Sequence, residues 1–186
     1  MTQQQEGTLV LVVGPSGSGK DSLIRAVRER LAGDSRFHFA KRVITRAEHD
    51  GIEDHIHTTM DGFQLSEEGN AFLLHWHAHG HAYGIPGHIR HVLEMGQHVI
   101  VNVSRGVIEQ AMAQYGHVRV IAVQASLETA FKRLKERGRE SEEEIAQRLK
   151  RYDFPIPAIA NVFQVDNDGS FDDAVTCFTE FLFELA

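Results

Sequence analysis

Hydrophobic residues recur along this chain in two rhythms. Residues 8–13, TLVLVV, form a largely β-branched run without polar alternation, the pattern of a parallel strand buried on both faces. From 21 to 31 the spacing becomes helical: Leu23, Ile24, Val27 and Leu31 share one side, Arg25, Arg28 and Glu29 fall elsewhere, and Gly33 ends the helix. Residues 98–103 (HVIVNV) and 117–124 (HVRVIAVQ) predict further core strands, with a helix over about 106–115 between them. Ser126 predicts the N-cap of a helix running through 137. Ser141 and Glu144, in S-E-E-E, form a capping-box pattern for a helix reaching about 152. Residues 162–165 predict a last strand and 170–184 a last helix, opened by S-x-x-D. Strands alternating with helices imply a doubly wound parallel α/β sheet.

Two segments break this rhythm. Residues 42–86 are polar, glycine-dotted and rich in histidine, with short alternating strands around 73–83. Residues 129–151 carry dense opposite charges. Both read as insertions over the C-terminal edge of the sheet, where α/β proteins bind ligands. Residues 1–41, 87–128 and 152–186 are then the core of a single domain.

Composition narrows the function. The chain of 186 residues is 42% hydrophobic, enough for a sizeable core, and its net charge of −7 argues against a general nucleic-acid binder. The single cysteine, Cys177, excludes an internal disulfide framework and sits in an apolar helical pattern, where it reads as buried filler. The first residues, MTQQQEGT, show no leader, and the apolar runs are of strand length, so the expectation is a cytoplasmic protein without membrane contact. Nothing in the sequence decides between a monomer and a homodimer.

Chemistry begins at residue 14. Gly14-Pro15-Ser16-Gly17-Ser18-Gly19-Lys20 follows a buried strand and opens an amphipathic helix, the context a phosphate-binding loop requires. Its glycines let the backbone N–H groups face inward, the helix start adds partial positive charge, and Lys20 reaches the β- and γ-phosphates. The next position normally carries a hydroxyl for the magnesium ion, yet here it is Asp21, followed by Ser22. A carboxylate beside a triphosphate is repelled unless a cation lies between them. Asp21 therefore predicts a divalent metal, with Ser22 as the neighbouring hydroxyl. The strand HVIVNVS, where an acid for magnesium often stands, offers only Asn102 and Ser104.

Three further stretches make the whole chain resemble the guanylate kinase group of nucleoside monophosphate kinases. Thr45-Arg46 with Asp50-Gly51 and Asp54-His55 resembles that group's acceptor-binding segment, FLLHWHAHGHAYG (72–84) its tryptophan strand pair, and RLKERGRESEEEIAQRL (133–149) its lid. On this resemblance 42–86 is the acceptor-binding insertion and 129–151 the lid. The departures are informative. Leu74 stands where the group has a guanine-reading glutamate, no second arginine follows Arg46, His55 replaces a tyrosine, and Asn102 and Ser104 replace acids. A site built on hydrogen bonds to a base loses its preference when a partner is removed.

With GPSGSGKDS, VITR, GIEDH, the run from His75 to Pro86 and VNVSR, the chain resembles the ribose 1,5-bisphosphate phosphokinases of phosphonate breakdown. That resemblance implies ATP and magnesium as cofactors and a sugar phosphate as acceptor. It implies transfer to the 1-phosphate of ribose 1,5-bisphosphate, giving 5-phosphoribosyl 1-diphosphate and ADP. Lys20, Arg137 and Arg148 would act on the transferring group. The residues from Gly14 to Ser22, with Arg133, would hold ATP. Arg46, His55, His75, His79, Tyr83 and Arg105 are candidates for the acceptor, Arg105 being equally readable as a packing residue. Arg139 and Arg151 read as solvated ion pairs. A nucleoside monophosphate kinase with altered base choice is the alternative, and a non-catalytic binding module a third, which the intact Lys20 argues against.

His75, His77, His79 and His81 recur at every second residue, which places them on one strand face until Gly80 turns the chain. They read as donors to sugar hydroxyls or phosphates, or as strand surface, rather than as a metal centre. Trp76 and Ala78 are expected to point the other way and pack.

Overall fold

The computed structural model describes residues 6–46, 54–78, 80–138, 141–149, 152, 155–158 and 161–185, except for the Arg148 side chain. The first strand, β1 (Leu9–Val13), is buried at every position because it lies in the middle of a five-stranded sheet. Around it stand β2 (Phe37–Phe39), β7 (His98–Asn102), β8 (Val118–Gln124) and β9 (Val162–Asp166), in the order β2-β7-β1-β8-β9, with every pairing parallel. Alternate residues of β1 enter different cores. Leu9, Leu11 and Val13 pack with Ile89 and Leu93 of α3 (Ile89–Glu94) and with Ile108 and Ala111 of α4 (Ile108–Gln114). Val10 and Val12 pack with Leu23 and Val27 of α1 (Lys20–Arg30) and with Phe178 and Leu182 of α7 (Phe171–Phe183). This is the doubly wound sheet that the sequence predicts.

Local signals held where they were chemical. Ser126 caps α5 (Leu127–Arg137) by accepting a hydrogen bond from the Thr129 amide at 3.1 Å. In the capping box of α6 (Glu142–Leu149), the Ser141 amide donates to Glu144 Oε2 at 2.8 Å and the Glu144 amide donates to Ser141 Oγ at 3.2 Å. Ser170 caps α7 in the same way, through the Asp173 amide. Helix α6 is described from Glu142 to Leu149; residues 150 and 151, on the way to the expected end at 152, lie outside the described residues, and the Tyr152 amide bonds the Leu149 carbonyl. A short 3-10 turn, Arg105–Val107, precedes α4. Cys177 packs against the second core, and burial pushes its thiol pKa up.

The insertion holds more structure than its polarity suggests. A second sheet, in the order β4-β3-β6-β5, combines β3 (Val43–Ile44), β4 (Ile56–His57), β5 (Phe72–Ala78) and β6 (His81–Pro86). Helix α2 (Met60–Glu68), capped by Thr59, covers it through the fully buried Phe63, which stacks on Phe72 at 4.6 Å. Gly84 is required there: a Cβ at that position would lie 2.5 Å from the Phe72 ring. Leu74 and Ile85 reach into the core formed on the α3 side of the main sheet, which fastens the insertion to it. Among the described residues no helix is long and apolar enough to cross a membrane.

Candidate active site

The C-terminal end of β1 leads straight into the phosphate loop, at the floor of a cleft of about 960 Å³. Gly19 sits at φ 88°, in the left-handed region that favours glycine, and a Cβ there would lie 2.3 Å from Asn167 Nδ2. The loop is thus pinned from the far side of the sheet. Asn167, which follows β9 and is 1% exposed, donates from Nδ2 to the Ser18 carbonyl at 2.7 Å, and its own carbonyl accepts from Arg133 Nη2 at 2.8 Å. Ser18 Oγ, Arg133 Nη1 and Asn167 Oδ1 are buried without hydrogen-bond partners. Buried polar atoms are seldom left so, and here three of them gather around one turn.

Lys20 folds over this loop, its Nζ donating to the carbonyls of Gly14 and Pro15 at 2.8 Å each. Asp21 faces the cleft. Its Oδ1 accepts from Asn102 Nδ2, at the end of β7, at 2.6 Å, and Arg42 Nη2 stands 3.8 Å away. The position that lacks an acid on the strand thus contacts the position that gained one in the loop. Among the described residues no group of three or more histidine, cysteine or acidic side chains could hold a metal alone. A carboxylate with a neighbouring hydroxyl, Ser22, is a hard oxygen set that suits magnesium, with phosphate oxygens and water as the remaining ligands.

On the opposite wall Trp76 of β5 and Tyr83 of β6 stack in parallel, 5.3 Å apart with 5° between their planes. The Arg42 guanidinium lies 5.7 Å from the centre of the Tyr83 ring, completing a three-layer pile. Arg46, Arg105, Arg133 and Arg137 also line the cleft.

The family model for guanylate kinase matches residues 6–185. A ribose 1,5-bisphosphate phosphokinase PhnN from Brucella melitensis is 40% identical over 181 residues, covering 97% of this chain and 94% of that protein. The chain belongs to the guanylate kinase family, among the ribose 1,5-bisphosphate phosphokinases. A second relative of that name, from Rhodopseudomonas palustris, is 45% identical over 145 residues, spanning 78% of this chain and 74% of its own. The crystal structure of guanylate kinase from Anaplasma phagocytophilum superposes with a TM-score of 0.66 at 15% identity, covering 97% of this chain and 87% of that one, which shows the fold.

The cleft gathers most of the phosphokinase residues expected from the sequence, and three features differ. His75 does not face it. His75 points to Glu67 of α2, with Nδ1 3.1 Å from Oε1. There it lines a separate depression with Arg90 and His117. His77, at 4.0 Å from the same carboxylate, is the histidine of β5 that borders the cleft. His55 is buried beneath the segment, where its Nε2, 3.2 Å from the Arg46 carbonyl, and His57 Nδ1, at 2.9 Å, share that oxygen. It can position Arg46, but it does not line the cleft. Trp76, expected to pack, does so on Tyr83 and also walls the cleft. His79 and the Arg148 side chain lie outside the described residues.

Arg105 borders the cleft, and its Nη1 donates to the Tyr152 carbonyl at 3.3 Å. The Tyr152 hydroxyl in turn donates to the Ala125 carbonyl after β8, tying the end of the α5–α6 segment to the core. Near the loop, Asp168 accepts from Ser126, and bonds from Thr129 and Ser126 hold its carboxyl below the usual range. Arg42 was not foreseen as a site residue, and neither the bond from Asn102 to Asp21 nor that from Asn167 to Ser18 was. Arg42 lies just before β3 and Arg46 just after it.

Proposed function

We propose that the protein transfers the γ-phosphoryl group of ATP to the 1-phosphate of ribose 1,5-bisphosphate. The bond from the γ-phosphorus to the bridging oxygen of ADP breaks as an acceptor phosphate oxygen bonds that phosphorus, giving 5-phosphoribosyl 1-diphosphate. The carrying observation is Leu74. It is fully buried in the core, so at this position the wall that would read a purine presents no carboxylate. What remains around the acceptor space is guanidinium and aromatic surface, suited to a small, highly charged sugar phosphate.

The acceptor oxygen is already ionised, so alignment and charge neutralisation suffice and no general base is required. Lys20 would exchange the Gly14 and Pro15 carbonyls for phosphate oxygens, while the loop amides hold the β-phosphate. Asp21 and Ser22 would hold magnesium, which when bound screens the charge between the donor phosphates and the carboxylate. Arg133 and Arg137 would close from α5 and exclude water, joined by Arg148 from α6. Arg46 and Tyr83 would receive the acceptor.

The test supplies magnesium ATP with either ribose 1,5-bisphosphate or GMP and follows phosphate transfer by ³¹P NMR. Formation of a diphosphate signal from the sugar bisphosphate alone is expected. Turnover of GMP alone would reassign the protein as a nucleoside monophosphate kinase.

A further inference from the structure

Main-chain N–H groups do most of the binding in a phosphate loop, and each points where its peptide plane points. In a trans peptide the N–H lies antiparallel to the carbonyl of the residue before it. Whatever holds the Ser18 carbonyl therefore aims the Gly19 N–H. We propose that Asn167 is a positioning residue for phosphoryl transfer: it holds that carbonyl behind the loop and so keeps the Gly19 N–H turned toward the donor phosphates before they arrive. The inference rests on the donor half of the proposed function, the binding of ATP at this loop, and adds a residue to it.

Three observations carry the assignment. Asn167 Nδ2 donates to the Ser18 carbonyl at 2.7 Å, joining residues 149 apart in sequence. Ser18 is fully buried, whereas Gly17, Gly19 and Lys20 beside it border the cleft. The carbonyl thus faces the protein, and the N–H on the far side of the same peptide faces the opening. Finally, Gly19 at φ 88° has no side chain to keep Asn167 away: a Cβ there would lie 2.3 Å from Nδ2. The amide fits directly against the peptide it holds.

Asn167 is in turn held by the sheet and by α5. Its own amide donates to the Gln124 carbonyl at the end of β8, at 2.8 Å, and its carbonyl accepts from Arg133 Nη2 at 2.8 Å. The next amide, of Asp168, donates to Asp166 Oδ1 at 2.9 Å and closes the turn after β9. A binding group supported by such a rigid second layer keeps its geometry before any ligand binds. An asparagine suits the place because it supplies an N–H without a charge, while a carboxylate would repel the carbonyl. Without the tether the peptide can turn over, presenting a carbonyl to the phosphates where a donor is needed. Donors fixed in advance count for more than donors that must reorient when the charge arrives.

The experiment combines titration calorimetry with magnesium ADP and amide NMR of ¹⁵N-labelled protein. Asn167→Leu keeps the size of the side chain without its donor or any charge, and Asn167→Ala lacks the donor and cannot crowd the loop. Both should weaken ADP by about tenfold, the scale of losing one well-placed donor. In the wild type the Gly19 amide proton should move strongly downfield as ADP saturates the protein, because a hydrogen bond to a phosphate oxygen is charge-assisted. At saturation it should move less than about half as far in either variant. Spectra of the free proteins should agree outside the loop and the contacts of Asn167, which shows that the fold is kept.

A Gly19 signal that moves as far in the variants as in the wild type, whatever the loss of affinity, would show that Asn167 does not aim this N–H, and would overturn the proposal. So would spectra disturbed throughout the sheet, which make Asn167 a residue of the fold alone. If the wild-type protein does not bind ADP, the donor reading falls and this inference with it. If it binds ADP and both variants keep its affinity, only the inference falls.

Discussion

The two walls of the cleft are built in opposite ways. The donor wall is one continuous stretch, Gly14 to Ser22, whose shape comes from backbone conformation and whose binding groups are mostly main-chain amides. The acceptor wall draws Arg42 and Arg46 from either end of β3, Trp76 from β5 and Tyr83 from β6, and is held by the stacking of side chains. A backbone cradle recognises what all nucleoside triphosphates share. A side-chain wall can be rebuilt residue by residue, so the choice of acceptor belongs there. Phosphoryl transfer needs both, but only the second wall has to differ between a kinase for a nucleotide and one for a sugar phosphate.

The largest effect should come from the donor wall. Lys20→Met is expected to lower kcat/KM for ATP by about 10³-fold, the scale of losing a principal electrostatic group. Its present partners are loop carbonyls, so the melting temperature should hardly move. A variant retaining a tenth of the wild-type rate would show that the loop does not act through this ammonium.

Next comes an attempt to convert the acceptor wall. Leu74→Glu restores the residue type that reads guanine, but Leu74 is fully buried in the core. An unpaired buried carboxylate costs roughly 3–5 kcal/mol, or a melting temperature lower by about 10 °C in a domain of this size. We expect unfolding to move by that amount with no gain of GMP turnover. A stable variant phosphorylating GMP would mean that the two walls are less distinct than described.

The junction between the walls should be more graded. Asp21→Asn is expected to reduce turnover by about 10²-fold and to raise the magnesium concentration needed for half-maximal rate. Asn102→Ala removes only the donor that orients Asp21, and should cost about tenfold with the same shift in magnesium dependence. Unchanged metal dependence in both would separate Asp21 from the cation.

The smallest effect lies far from either wall. His98 opens β7, accepts from the Thr8 amide at 3.1 Å, and has its pKa lowered by burial and by the charge of Arg36. A depressed histidine is neutral in the folded protein, so protonation favours unfolding. Its contribution is complete above the ordinary value of 6.5 and is lost as pH falls below that value toward the folded pKa. Melting curves from pH 8 to pH 5 should decline less steeply in His98→Gln than in the wild type, by a few degrees at most. Parallel curves would remove His98 as a source of acid sensitivity.

The same division between walls explains what could be read in advance. Ser126 above α5 and the Ser141–Glu144 box write their geometry within three residues, so both were legible. Strand β1 was legible because burial on both faces leaves no polar position. Strands β3 and β4 each have two residues, too short for any period to show. Helix α2 buries one residue, Phe63, and contains Gly62, so its apolar stripe is nearly absent. The histidine alternation on β5 was real, but the choice of face belongs to the Trp76–Tyr83 stack and to Glu67, which lies on a helix the pattern did not reveal.

The bond between Asn102 and Asp21 also limits how such a site can change over generations. An acid placed at 102 while Asp21 remains would put two carboxylates in hydrogen-bonding contact, and they would repel. A hydroxyl placed at 21 while Asn102 remains would deprive the amide of its charged acceptor. The two positions are therefore coupled, and an exchange between the arrangements is easiest when both change together.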